Sequence, residues 1–230
     1  MILVRDLDRA RDTYQRLGFT LTPRGYHSLG SQNHCIMFGR DYLELMALPK
    51  PHPAFQYFAD FLARGEGVGA LALATDDAAA AQAELARAGF AAEAPLALSR
   101  PVENLGEARF TLVQLPPEQT PGLRTFVCQH HTPEFVWRPE FQRHALGARE
   151  IESVTLRAPD PARYAGLFDG LPVVFSQGTP PAVTTLRIRV EDRARAAAAL
   201  RGGGLEPAVL ADGALAIGAD QAHGVALVFS

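Results

Sequence analysis

A strand followed by a short helix recurs four times along this chain, and that recurrence restricts its fold more than any single motif does. The first occurrence is Ile2-Leu3-Val4, then a helix over 7–17 with Asp6 placed to cap it. Leu7, Ala10, Tyr14 and Leu17 fall at helical spacing, and Gly18 is a stop signal. In the second, Gly69–Thr75 leads into an alanine-rich helix that opens at Asp76-Asp77, runs to Ala88 and ends at Gly89-Phe90, echoing Gly18-Phe19. The third is Ile151–Arg157 with a helix near Pro161–Phe168, where LRAPDPARYAGLF runs parallel to VRDLDRARDTYQRL. The fourth is Thr184–Val190, then a helix over 192–201 stopped by Gly202-Gly203-Gly204. Three strands follow the helix in the first unit (Phe19–Thr22, His34–Phe38, Tyr42–Met46), in the second (near 93–98, 107–115 and 123–130) and in the fourth (near 206–210, 214–218 and 224–229). After Val173–Phe175 the third has almost no room left. The spacing therefore predicts an α+β protein of repeated βαβββ modules with a truncated third module.

The chain has 230 residues, enough for one large domain or two small ones with a real core. The expected division is a pair of modules over 1–131, a linker over 132–148 and a shortened half over 149–230. The linker holds the only tryptophan, and Phe135, Trp137 and Phe141 predict that it packs on its neighbours. Net charge is −3 with scattered arginines, which gives no support to a nucleic-acid partner. No run of 18 apolar residues predicts a membrane span. Charge follows MILV at once, unlike a signal peptide, so the expected location is the cytoplasm. Cys35 and Cys128 lack zinc spacing and read as buried thiols.

The stretch HSLGSQNHCIMFGRDYLELM, residues 27–46, reads as two strands around a tight turn. Glu44 has Tyr42 and Met46 on its own face and Leu43 and Leu45 on the other, so neither face is an obvious solvent side. A carboxylate among apolar neighbours calls for a partner. A three-residue loop at Gly39-Arg40-Asp41 would set Ile36 opposite Glu44 and His34 opposite Met46, so that His34 and Glu44 share a face. A two-residue loop would bring Asn33 there instead. Arg-Asp is not a favoured two-residue turn and decides nothing. The reading adopted is the first. Against it stands the plain alternative of a half-exposed Glu44 and a structural His34.

These residues resemble the vicinal oxygen chelate superfamily, the glyoxalase-like fold. VRDLDRARDTYQRLGFTLTPRG is similar to its first strand, helix and second strand, HSLGSQNHCIMFGRDYLELM to its third and fourth, and ADQAHGVALVFS to its closing strand. The resemblance implies modules paired into a U-shaped sheet around a cup. It also implies a divalent metal (Zn, Fe, Mn, Ni or Co) held by ligands on first and fourth strands. Glu44 matches the fourth-strand carboxylate. The first-strand histidine would fall before Met1, and in the later units the same count lands on Gly69, Ile151 and Thr185, none of them a ligand. Weak metal binding, or none, is therefore expected. Gln129 or His130 falls where a second carboxylate often stands.

The expected site residues are Glu44 and His34 as catalytic groups and Glu44, His34 and His130 as a metal set. His27, Asn33, Gln129, Arg100 and Trp137 would contact substrate. Arg109 is a further candidate for an anionic substrate, and His131 and His144 lie in the linker. Without metal, Glu44 can act as a general base. Gly65-Glu66-Gly67-Val68-Gly69-Ala70 precedes a strand and so is no dinucleotide site. The expected function is lyase, isomerase or dioxygenase chemistry on a small oxygen-rich substrate. The alternative is a non-catalytic binder of the bleomycin-resistance type. A homodimer is a possible assembly.

Overall fold

The computed structural model describes residues 1–102, 105–120 and 122–230. In the first unit β1 (Ile2–Leu3) leads into α1 (Leu7–Arg16). The Asp6 carboxylate accepts the Arg9 N–H at 3.0 Å, satisfying a donor that the helix start leaves open. Leu7, Ala10, Thr13 and Tyr14 form the buried face of α1. Strands β2 (Gly25–Tyr26), β3 (Gln32–Met37) and β4 (Tyr42–Ala47) follow. β1 pairs parallel with β4, which pairs antiparallel with β3, and β3 with β2.

After α2 (Gln56–Arg64) and β5 (Gly67–Val68), this arrangement returns. β6 (Ala70–Thr75), α3 (Ala78–Arg87), β7 (Leu96–Val102), β8 (Gly106–Gln114) and β9 (Arg124–His130) stand in the spatial order β6-β9-β8-β7. The third unit is β10 (Ala148–Ala158), α4 (Ala162–Ala165) and β11 (Val173–Gln177). β11 pairs parallel with β10, the place that the last strand takes in the other units, so the two middle strands are the missing ones. The fourth unit, β12 (Ala182–Val190), α5 (Arg193–Gly202), β13 (Ala208–Val209), β14 (Leu215–Ile217) and β15 (Ala226–Phe229), is again ordered β12-β15-β14-β13.

The short β5 pairs antiparallel with both β1 and β12, and β10 pairs with β12. The first, third and fourth units thereby share one sheet, while the second forms its own four-stranded sheet. The main core lies under α1 and α5. Phe19 packs on Phe38 and Phe229 with ring centroids 6.3 and 6.2 Å away, and the Tyr14 hydroxyl donates to the Ala222 carbonyl. A Cβ on Gly203 would lie 1.8 Å from the Arg16 carbonyl, so the close approach of the two helix ends requires a glycine there.

Three elements differ from the sequence reading. Phe19–Thr22 is not a strand, because the Thr22 hydroxyl rather than its backbone carbonyl accepts the Cys35 N–H. Helix α2 was not expected. The third helix is shorter than expected, Ala162–Ala165 with Gly166 as its C-cap.

The 39–41 hairpin also takes the other register. Phe38 N–H donates to the Asp41 carbonyl at 2.9 Å, making Gly39-Arg40 the turn. Cys35 therefore opposes Glu44, His34 opposes Leu45, and the expected Ile36–Glu44 and His34–Met46 pairs do not form. The cause is Asp41. Both its carboxylate oxygens lie 3.2 Å from the Ile151 N–H, which draws it into the strand pair rather than the loop.

Buried histidines make stability depend on pH. His144 accepts the Thr20 N–H at Nδ1 and donates from Nε2 to the Met37 carbonyl, so it is held as the neutral ring. Burial pulls His27, His34 and His144 below the ordinary histidine value of 6.5, and His130 to about 4. The unfolded chain thus binds more protons than the folded one just below pH 6.5, and stability falls as pH falls through that range. Asp41, raised to about 6 by burial, opposes this with a single proton. Urea denaturation should give a lower midpoint at pH 5 than at pH 7.5. A midpoint that rises on acidification would contradict the buried neutral rings.

Candidate active site

Alternation along the strands sends Tyr42, Glu44 and Met46 of β4 and Asn33 and Cys35 of β3 to one face. The four-stranded sheet stands opposite. There Phe110, Leu112 and Gln114 pair with His130, Cys128 and Phe126, so all six share a face. Between these walls lies a cavity of about 240 Å³, lined mainly by apolar side chains. Its polar groups include Glu44, Asn33, His27, Arg100 and Arg124.

Glu44 is fixed on this floor. Asn33 Nδ2 donates to its Oε1 at 2.7 Å and also lies 3.6 Å from Cys35 Sγ. Gly25, opposite Asn33 in the sheet, leaves room for this pose. A Cβ there would stand 2.2 Å from Asn33 Oδ1 and 3.7 Å from an Arg100 guanidinium nitrogen, which also places Arg100 beside Asn33. His27 bonds through Nδ1 to Ser31 Oγ at 2.7 Å and lines the same cavity. Burial, helped by the nearby Glu44, pushes the thiols of Cys35 and Cys128 up to about 12. They are free buried thiols, as the sequence suggested.

A second cavity of about 310 Å³ meets the first at Glu44, Tyr42, Phe126 and Cys128. His130 and Trp137 line it. The His130 ring lies edge-on to Phe110, Trp137 and Tyr42, with centroids 4.9, 4.8 and 6.2 Å away.

Glu44, Asn33, His27 and Arg100 are thus brought together, with His130 and Trp137 one chamber away. His34 and Gln129 are not. His34 points to the other face, and its Nδ1 donates to the Thr22 carbonyl at 2.8 Å. Gln129 accepts the Ala78 N–H and donates to the Asp76 carbonyl, which ties down the start of α3. Nor does Gln129 or His130 stand where a second carboxylate would. Ile2, four residues before the cap Asp6, pairs with Leu45, and Leu73, four before the cap Asp77, pairs with Val127. The counterpart of Glu44 is therefore Phe126. The same count gives Phe175 in the third unit and Val228 in the fourth. Arg124, unremarked in the sequence, joins the cavity while bonded to Gln114 Oε1 at 2.6 Å. Its backbone N–H donates to the Gly69 carbonyl at the start of β9, a place that gave no readable signal in the sequence.

The donor set does not fit the expected metal centre. Among the described residues no three of His, Cys, Asp and Glu gather at one point, and Asn33 already holds one Glu44 oxygen. Among the described residues, no helix is long and apolar enough to cross a membrane.

Several solved structures share the fold. A hypothetical protein from Staphylococcus aureus aligns with 100% of this chain and 96% of its own, at 14% identity and TM-score 0.72. The Mn(II)-bound glyoxalase from Novosphingobium aromaticivorans aligns over 99% and 79%, at 14% identity and TM-score 0.61. Homoprotocatechuate 2,3-dioxygenase from Arthrobacter globiformis aligns over 100% and 77%, at 14% identity and TM-score 0.57. A search of curated protein sequences gave no match. The family model described as "Glyoxalase-like domain" matches residues 1–171, which covers all of the cup's first two units. The repeated unit, the facing sheets and this match agree, and the chain belongs to the glyoxalase-like domain family.

Proposed function

We propose that this protein is a small-molecule enzyme of the isomerase or lyase type, in which Glu44 moves a proton on a substrate with an apolar body and an oxygen-rich, anionic end. The observation that carries this reading is Glu44 itself, held by Asn33 on the floor of an apolar cavity. A fixed carboxylate beside an apolar space can take a proton from a C–H next to a carbonyl, the electron pair passing to the carbonyl oxygen as an enolate. The same carboxyl group returns the proton to carbon. Arg100, beside Asn33, would hold the anionic end. No step is routed through a metal, because the donors do not gather.

The test is incorporation of solvent deuterium into a panel of small oxo acids, followed by NMR. The wild type should accelerate exchange at the carbon next to the carbonyl for at least one of them. Equal exchange by wild type and Glu44→Gln across the panel would overturn the reading. A second reading, a non-catalytic binder, is favoured by the missing donor set. It predicts saturable binding without exchange, unaffected by Glu44→Gln.

Positioning of Glu44 can be tested separately. Gly25→Ala should push Asn33 off the carboxylate and lower exchange roughly tenfold, by the net worth of one charged hydrogen bond. Unchanged exchange with an unchanged fold would show that Asn33 does not position the base.

A further inference from the structure

Tyr42 and Glu44 lie two residues apart on one face of β4, and both line both cavities. The Tyr42 ring is held edge-on against Trp137 and His130, with centroids 5.6 and 6.2 Å away. Its hydroxyl has no hydrogen-bond partner among the described residues. Nor is it one of the unpartnered polar atoms that the protein encloses, which are His34 Nε2, Tyr57 Oη, Thr125 Oγ1, His130 Nδ1 and Trp137 Nε1. The hydroxyl of this half-buried residue therefore keeps accessible surface, and the space that Tyr42 lines is the cup. Burial raises the phenol well above its ordinary 10, and Glu44 is the charge that adds most to this, as befits two groups at close range.

The rows of the β3–β4 pair put the polar groups in order. Asn33 opposes Met46, Cys35 opposes Glu44 and Met37 opposes Tyr42, with successive rows about 7 Å apart. Arg100 belongs to the Asn33 row, because Gly25 opposes Asn33 and a Cβ on Gly25 would lie 3.7 Å from the guanidinium. Glu44 thus stands between Arg100 on one side and Tyr42 on the other.

We infer that Tyr42 is a further catalytic residue, whose hydroxyl donates to the enolate oxygen, and that the substrate carries its reacting C–H between carboxylate and carbonyl, as 3- and 4-oxo acids do. This rests on the proposed function, which it deepens by naming a substrate class. With the carboxylate at Arg100 and the C–H at Glu44, the carbonyl of such an acid falls on the Tyr42 side. In a 2-oxo acid the carbonyl adjoins the carboxylate, so its oxygen would lie toward Arg100 and away from Tyr42. Glu44 takes the proton, the C–H electron pair becomes a C=C bond, and the carbonyl pair moves onto oxygen. The Tyr42 O–H hydrogen-bonds that oxygen and keeps its own proton. The Glu44 carboxyl group, after exchanging its proton with solvent, returns one to carbon.

The probes are 4-oxopentanoate and its isomer 2-oxopentanoate, each with an exchangeable C–H at carbon 3. Exchange at that carbon is followed by NMR in deuterium oxide with the full chain, each rate divided by the uncatalysed one. The wild type should favour 4-oxopentanoate, and Tyr42→Phe should lower its kcat about 10²-fold, the cost of one oxyanion donor, with KM within about twofold. The urea midpoint of Tyr42→Phe should stay at the wild-type value, because the hydroxyl it removes bonds nothing in the protein; a merely structural role would move the midpoint and spare kcat. Equal or better exchange of 2-oxopentanoate overturns the inference, as does a Tyr42→Phe variant with wild-type kcat. Failure here is separable from failure of the proposed function. Exchange that needs Glu44 but not Tyr42 removes only this inference, whereas wild type no faster than Glu44→Gln on either acid removes both.

Discussion

Replacing Glu44 by Gln should cut proton exchange by about 10²- to 10⁴-fold while leaving the protein folded and its ligand affinity within a few-fold of wild type. Gln keeps the volume, and its carbonyl oxygen can still accept from Asn33 Nδ2, the contact that fixes Glu44 at 2.7 Å. What it loses is the ability to take a proton. The stability change should stay within about 1 kcal/mol, in line with substitutions that break no packing and orphan no buried group. The comparison separates the two readings of the cup. An enzyme loses turnover and keeps binding, whereas a binder has no turnover to lose. A Glu44→Gln protein as fast as wild type would leave the carboxylate without a catalytic role.

The largest stability effect is expected at Phe229→Ala, a loss of about 3–5 kcal/mol read as a fall in the urea midpoint. Phe229 is fully buried at the end of β15, 6.2 Å from Phe19, which follows α1 in the first unit. Its removal opens a hole where the first and fourth units share their core. A loss below 1 kcal/mol would mean that the two units do not stabilise each other through this contact. Deuterium exchange in the cup offers a second readout, because among the described residues the two-residue β5 stands between β12 and β1 in the sheet.

The helices and the recurring unit were readable because their signals are local. Asp6, Asp77 and Asp192 each cap a helix by accepting backbone N–H groups two or three residues ahead, as their spacing before apolar residues predicts. Glu44 was readable for a similar reason, since alternation within one strand fixes its face. His34 was misplaced because its face depends on the turn, and the turn is decided by Asp41 reaching Ile151, 110 residues away. Local residues cannot carry that information. Gln129 misled because a polar residue at the end of a strand can serve a site or a helix start, and here Asp76 and Ala78 claim it. The joining of the first and fourth units through β5 was equally hidden, since Gly67-Val68 is too short to show a period.

The most direct test of a cup built on Glu44 is a crystal structure of the wild type soaked with a panel of small oxo acids. The account predicts ligand density between the facing sheets, with a carbon next to the carbonyl against the Glu44 carboxylate and the anionic end at Arg100. Bound oxo acids found only outside the cavity, with the space around Glu44 filled by solvent throughout the panel, would contradict it.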